Sequence, residues 1–179
     1  KTSSAASDVY KRQIIVTGRN DNYGGDFNER IQNQLTWTSH LAEKYRVPTE
    51  YIIVNYNPIE NEPTLLDLLK WQENRKHISY RILTIPNEVH QLFVNPEVRK
   101  TIPLFEFIGK NAAIRRARGQ FILTSNADII FDPGIFKFLG KKRLSQSSFY
   151  RADRCDYHPI GKLEAGQQEM LDAMRKNVF

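Results

Sequence analysis

The chain of 179 residues contains one cysteine, Cys155. That excludes an internal disulfide and any zinc site built from several thiolates. No apolar run approaches the ~18–20 residues of a membrane helix, and no signal-peptide stretch opens the sequence. A membrane protein and a secreted disulfide scaffold are therefore set aside, and a cytoplasmic location is the expectation. No internal repeat and no low-complexity linker is present. Glycine is sparse, with nine residues, and never spaced as G-x-G-x-x-G or G-x-x-x-x-G-K-[ST]. Dinucleotide redox and P-loop phosphoryl transfer thus lose their usual warrant. The first loop, Gly18-Arg-Asn-Asp, also lacks the glycines a methyltransferase would want. Neither G-x-S-x-G nor H-E-x-x-H occurs. His40, His77, His90 and His158 lack metal-ligand spacing and read as surface or internally satisfied residues. Cys155 has no paired base.

What is present suffices for a folded domain. Hydrophobic residues make up 40% and aromatics 11%, enough to bury a core within one domain of ordinary length. Lysine and arginine number 26 against 20 acidic residues, a net charge of +6 that favours anionic partners without naming one.

Residues 3–13, Ser-Ser-Ala-Ala-Ser-Asp-Val-Tyr-Lys-Arg-Gln, resemble the in-frame translation of a transposase-type sequencing adapter. The resemblance implies a gene fragment cut during library preparation from environmental reads. Residues 1–13 are then expected to be a non-native tail without core contacts, and the fold to start at Ile14. Lys1, Lys11 and Arg12 against Asp8 account for two of the six positive charges, leaving +4.

Ile14-Ile-Val16 reads as a buried strand that delivers the turn-rich loop Thr17–Gly25. Asp26 suits a helix N-cap with Glu29 as its capping-box partner. Phe27, Ile31, Leu35, Thr38, Leu41 and Tyr45 form one helical stripe, and Pro48 ends it. Tyr51–Tyr56 is a second strand, stopped by Asn57-Pro58. A helix opens at Pro63 with its leucines and runs to about Arg75. Ser79–Ile85 is a third strand, and residues 86–103 read as irregular. A helix from Pro103 runs to Arg118, with Gly119 as its stop. Gln120–Ser125 is a fourth strand. A short helix after Pro133, a strand at Ser148–Asp153 and a helical tail from about Leu163 complete the pass. Strands alternating with helices predict an α/β fold with a mostly parallel sheet flanked by helices on both faces. Ligands of such sheets bind at the carboxyl ends of strands near a topological switch point, here the loops Thr17–Gly25 and Ser125–Asp132.

The first loop offers Thr17, Arg19, Asn20 and Asp21. Arginine can fork onto a phosphate, and Asn or Asp can hydrogen-bond a base or ribose, although Asn-Asp-Asn also simply builds turns. In the second loop Asn126 and Asp128 point to one side of an extended chain and offer oxygens to a hard cation such as Mg²⁺ or Mn²⁺. A strand-end cap is the plainer reading of the pair. Lys110, Arg115, Arg116 and Arg118 put four cations on one helix. Arg116 and Arg118 suit a solvated face, whereas Lys110 and Asn111 lie towards the half that can face a ligand.

Three segments together resemble family 2-like glycosyltransferases of the GT-A fold: Val16-Thr-Gly-Arg-Asn-Asp21, Lys110-Asn-Ala-Ala-Ile-Arg-Arg-Ala-Arg-Gly-Gln-Phe-Ile-Leu123 and Asn126-Ala-Asp-Ile129. Phe149-Tyr-Arg-Ala-Asp-Arg154 is similar to the strand that follows the acidic motif in one subgroup. The resemblance covers residues 14–157 and implies a Rossmann-like, nucleotide-diphospho-sugar transferase half-domain. It implies a nucleoside diphosphate-sugar donor and a glycan or other hydroxyl acceptor. No nucleic acid is expected as partner, because a charge of only +4 from Ile14 onward and the lack of an aromatic-interleaved basic run disfavour a nucleic-acid-binding module. Thr17, Arg19, Asn20, Asp21, Asn57, Lys110, Asn111 and Asn126 would then contact the nucleotide-sugar. Asp128 would ligate Mn²⁺ or Mg²⁺ bridging the diphosphate. This chain departs from the family pattern at Asn126, a neutral residue where the first acid of Asp-x-Asp usually stands. The resemblance further implies that residues 14–179 are the donor-binding part of one domain, incomplete at the C-terminus and inactive alone, with the catalytic base elsewhere. A nucleotidyltransferase is the alternative, but it wants a first loop closer to G-x-G-T-R. A non-catalytic nucleotide-binding α/β module is the other.

Overall fold

A computed structural model describes residues 12–93 and 95–156, together with 172, 175 and 176. The chain divides into two compact units, Lys1–Arg143 and Leu144–Phe179.

The first unit carries a four-stranded, all-parallel sheet flanked by helices. Its strands are β1 (Arg12–Gly18), β2 (Thr49–Tyr56), β3 (Ile78–Ile85) and β4 (Phe121–Thr124), in the spatial order β3-β2-β1-β4. Its helices are α1 (Phe27–Lys44), α2 (Leu65–Leu68), α3 (Asn87–Phe93), α4 (Pro96–Thr101), α5 (Glu106–Ile114) and α6 (Pro133–Gly140). Parallel pairing needs a crossover after each strand, and helix-bearing segments supply all three. The chain steps outward from β1 to β3, then returns past β2 and β1 to lay β4 on the far side of β1. The direction of winding therefore reverses between β1 and β4, in the Rossmann-like manner.

Side chains of β1 alternate between two packed faces, so its apolar run is continuous rather than alternating. On one face α1 is joined to the sheet by polar contacts: the Tyr51 hydroxyl donates to Gln34 Oε1, and Ser39 shares a 2.8 Å hydrogen bond with Tyr80. On the other face Ile15, Ile52, Val54, Tyr56 and Ile85 pack with Ala113 of α5, and Leu83, Phe105 and Ile108 join them.

Several boundaries differ from expectation. β1 begins at Arg12, not Ile14: Arg12 and Gln13 pair with Thr49 and Glu50 on one side and with Phe121 and Ile122 on the other. They are 3% and 0% exposed. Ladder hydrogen bonds come from the backbone, so pairing extends as far as partner strands do, whatever the side chains. Gln13 Oε1 also accepts from the Arg118 and Gly119 amides at 2.8 and 2.5 Å. Residues 1–11 lie outside the described residues.

The helix expected from Pro63 to Arg75 is the single turn α2, closed by a capping box between Thr64 and Asp67. Leu69 is already extended, and Lys70 gives its backbone N–H and C=O to the Gln32 side chain at 2.7 and 3.0 Å. That tertiary pairing outcompetes a further helical turn. Residues 86–103 are not irregular but contain α3 and α4. Pro96 sits at the start of α4 behind Asn95, whose side chain accepts from the Glu97 amide at 2.9 Å; proline at a first helical turn starts a helix rather than breaking one. The helix expected over Pro103–Arg118 is shortened to α5. At one end Pro103 C=O accepts from Asn57. At the other the helix gives way after Ile114 to tighter turns, in which the Arg116 and Ala117 amides reach back three residues to Ala113 and Ile114, before Gln13 takes the Arg118 and Gly119 amides. The helix after Pro133 forms as expected, with Asp132 Oδ1 accepting from the Gly134 amide at 2.7 Å.

In the second unit, residues 148–156 form no strand. Ser148 N–H bonds Ser145 C=O at 3.2 Å, and the Tyr150 hydroxyl accepts from the Ser145 amide at 2.8 Å, a local turn in place of a ladder. The helical tail expected from Leu163 falls almost wholly outside the described residues.

Candidate functional site

Every strand of the sheet points the same way, so Arg19, one residue beyond β1, and Asp128, in the loop after β4, emerge at the same end. The loops meet at the switch point between adjacent strands. Gly109 lets α5 approach the end of β1, where its Cα lies against Thr17. Thr17 is buried, and its hydroxyl has no hydrogen-bond partner among the described residues.

On the β2 side the first loop is held by its own polar residues. Arg19 Nε donates to Asn57 C=O at 2.6 Å, and its terminal nitrogen pairs with Asp21 at 2.9 Å. Asn20 donates to Ile59 and Pro63 carbonyls and accepts from the Ile59 amide at 2.7 Å. Asn57 takes a left-handed backbone (φ 44°), donates to Pro103 C=O and accepts from Asn87. Asn20 and Asn57 are both buried, so their amides brace the loops from within. Beside them lies an open groove of about 400 Å³, bordered by Asn20, Asp21, Asn22, Asn28, Ile59 and Glu62 among others. Asn28 Oδ1 is buried there without a hydrogen-bond partner among the described residues.

Asp26 stands at the N-cap position of α1 without capping it. Its carboxylate takes Arg30 Nε at 2.9 Å instead, and Asn22 Oδ1 accepts the Asn28 amide of the first turn.

On the β4 side, three residues of α1 spaced i, i+4, i+7 clamp the second loop. Arg30 pairs with Asp128 at 2.5 Å, Gln34 donates to Asn126 C=O at 3.0 Å, and Trp37 Nε1 donates to Phe131 C=O at 2.7 Å. Arg30 also donates to Tyr23 C=O at 2.9 Å. From α5, Lys110 Nζ reaches Asn126 Oδ1 at 3.0 Å and Glu106 Oε1 at 2.6 Å. Asn111 is exposed and does not join this set. The clamp residues Arg30, Gln34 and Trp37 were not singled out in the sequence, although their helical spacing beside the apolar stripe was a usable signal.

Eight of the nine residues picked from sequence thus fall in two sets: Thr17, Arg19, Asn20, Asp21 and Asn57 on the β1–β2 side, of which Asn20 and Asp21 border the groove, and Lys110, Asn126 and Asp128 on the β4 side. Asp128 does not line the groove. The donor set at Asp128 is one carboxylate and one neutral amide, a poor match to the divalent metal that the resemblance implies. Asp128 Oδ2 and Asn126 Oδ1 are each taken by a side-chain cation, and among the described residues no group of three or more His, Cys, Asp or Glu could hold a metal. No described helix is long and apolar enough to cross a membrane. Comparisons with family models, with curated proteins and with solved structures find no match to this chain.

Proposed function

We propose that this chain carries the donor-binding part of a glycosyltransferase of the GT-A fold, with a nucleoside diphosphate-sugar as donor and a glycan or other hydroxyl as acceptor. One observation carries the reading. Two of the segments that resemble that family, Thr17–Asp21 and Asn126–Asp128, leave adjacent parallel strands at one end of the sheet, at its switch point. Open α/β sheets bind their ligands at such points. The groove of about 400 Å³ falls in the size range of small-molecule sites and suits the nucleoside. Arg19, Arg30 and Lys110 suit the diphosphate, whose developing charge fixed cations would stabilise as the sugar departs.

Calorimetric titration with UDP and GDP tests the reading. A nucleoside diphosphate should bind, and Ile59→Trp, which fills the groove from its rim, should weaken it at least tenfold with little change in thermal stability. Absence of nucleoside diphosphate binding, or binding indifferent to Ile59→Trp, would contradict it.

A further inference from the structure

We propose that Arg30 and Lys110 stand where a divalent metal is expected, and that the switch-point site takes a diphosphate without one. The proposal rests on the donor-site reading above for the ligand's identity, and on side-chain geometry for the rest.

One side-chain oxygen of each motif residue is held by a cation of the chain itself. Asp128 Oδ2 lies 2.5 Å from Arg30, and Asn126 Oδ1 lies 3.0 Å from Lys110. The charges bear on how an anion would enter. Asn126-Ala-Asp128 carries one negative charge, where an Asp-x-Asp motif would carry two. Arg30 and Lys110 supply two positive charges against Asp128, but Asp26 and Glu106 also pair with them, so the two cations act on a diphosphate only as those outer carboxylates give way. The neutral Asn126 is then a matched component: it accepts from Lys110 without cancelling its charge.

Both cations keep donors for an anion. A guanidinium has five N–H groups and an ammonium three. Asp26, Asp128 and Tyr23 C=O take three from Arg30, and Asn126 and Glu106 take two from Lys110. The anchor points of the two cations, Asn126 and Asp128, lie two residues apart, within ~7 Å along the backbone, a span that one diphosphate can bridge. Arg30 is fixed further by the Phe27 ring beneath it at 5.7 Å. The outer carboxylates, Asp26 and Glu106, have side chains 61% and 29% exposed. They are the groups that incoming phosphate oxygens replace, whereas Asp128 and Asn126 stay as the anchors that aim the cations.

The test uses inorganic pyrophosphate and UDP as calorimetric probes on the full chain, first in EDTA and then with Mn²⁺, with Mn²⁺ alone followed by electron paramagnetic resonance. Pyrophosphate should bind equally, within twofold, in EDTA and in Mn²⁺. Its affinity should fall on the order of tenfold in Arg30→Gln and in Lys110→Gln, the worth of one charge-assisted hydrogen bond, and should rise in Glu106→Gln. Lys110 and Glu106 are half-buried on α5, so their variants keep the test readable should Arg30→Gln fail to fold. No pyrophosphate binding in EDTA, tenfold strengthening by Mn²⁺, or a Mn²⁺ site abolished by Asp128→Asn would each overturn the proposal. Pyrophosphate binding in EDTA without UDP binding leaves the cation site standing and removes the donor reading. UDP binding that requires Mn²⁺ does the reverse.

Discussion

Gly109 of α5 lies directly on Thr17 of β1: a methyl group at position 109 would come within 2.6 Å of Thr17 Cγ2 and 2.9 Å of its hydroxyl oxygen. This approach sets the height of α5 over the sheet, and Lys110, the next residue, reaches Asn126 across the switch point from there.

Gly109→Ala should therefore be destabilising although alanine is the better helix former. Overpacking of this kind costs about 1–3 kcal/mol, against about 1 kcal/mol of helix propensity gained. Thr17→Ala removes the atoms the new methyl would strike, so the double variant should recover most of the loss. Urea unfolding of the single and double variants reads this out; additive losses would show that the two residues are not in contact.

Gln34 joins the sheet to the second loop, accepting from the fully buried Tyr51 hydroxyl and donating to Asn126 C=O. Gln34→Leu strands both groups and should cost about 2–4 kcal/mol, the penalty for two buried unsatisfied polar groups. Tyr51→Phe strands only one side-chain oxygen and should cost less. Equal losses in the two variants would contradict the bridging role.

His90 is 2% exposed, shares a 3.2 Å hydrogen bond with the Tyr56 hydroxyl and stacks on Phe105. Burial, then the Arg99 and Arg19 charges, hold its ring below the ordinary value of 6.5. The unfolded chain therefore takes up a proton near pH 6.5 that the folded one refuses. Stability is retained above that pH and declines as pH falls towards the depressed folded value, by at most about 1.4 kcal/mol per pH unit. His40 is shifted the same way by burial and then by Lys44 and Arg75. Melting temperatures from pH 7.5 to 5 should fall less steeply in His90→Gln than in the wild type, and least in the double variant with His40→Gln. An unchanged profile in His90→Gln would contradict the account.

Elements whose signal is local were legible in the sequence. The four strands of the sheet, the α1 stripe and the short helix after Pro133 follow from apolar period and the proline start, whereas the cap read at Asp26 does not form. What failed was set by distant partners. Gln32 stops α2 at Leu68 by taking the backbone of Lys70. α5 ends at Ile114, and beyond its last turns Gln13 holds the Arg118 and Gly119 amides. Residues 148–153 read as a strand but form no ladder among the described residues. The same holds at the candidate site. Strand-end loops could be found from alternation alone, and Lys110 from its place on a helix. Arg30 could not be assigned to Asp128, 98 positions away, because a helix's spacing says which residues share a face but not what that face meets.

Asn20 ties the first loop to Ile59 and Pro63 through three hydrogen bonds. Asn20→Ala should free the segment Ile59–Pro63 and raise its amide hydrogen exchange, while the β1–β2 ladder stays protected. Unchanged exchange at 59–63 would show that the loop is held by something else.

Amide chemical-shift mapping during titration with UDP tests the proposed nucleoside diphosphate site at the end of the sheet where β1 and β4 release their loops. Shifts should concentrate at Arg19–Asn22 and Ser125–Asp128, with the Arg30 and Lys110 side-chain signals moving alongside. Shifts confined to the opposite end of the sheet, around Gln13, Arg118 and Gly119, would contradict it.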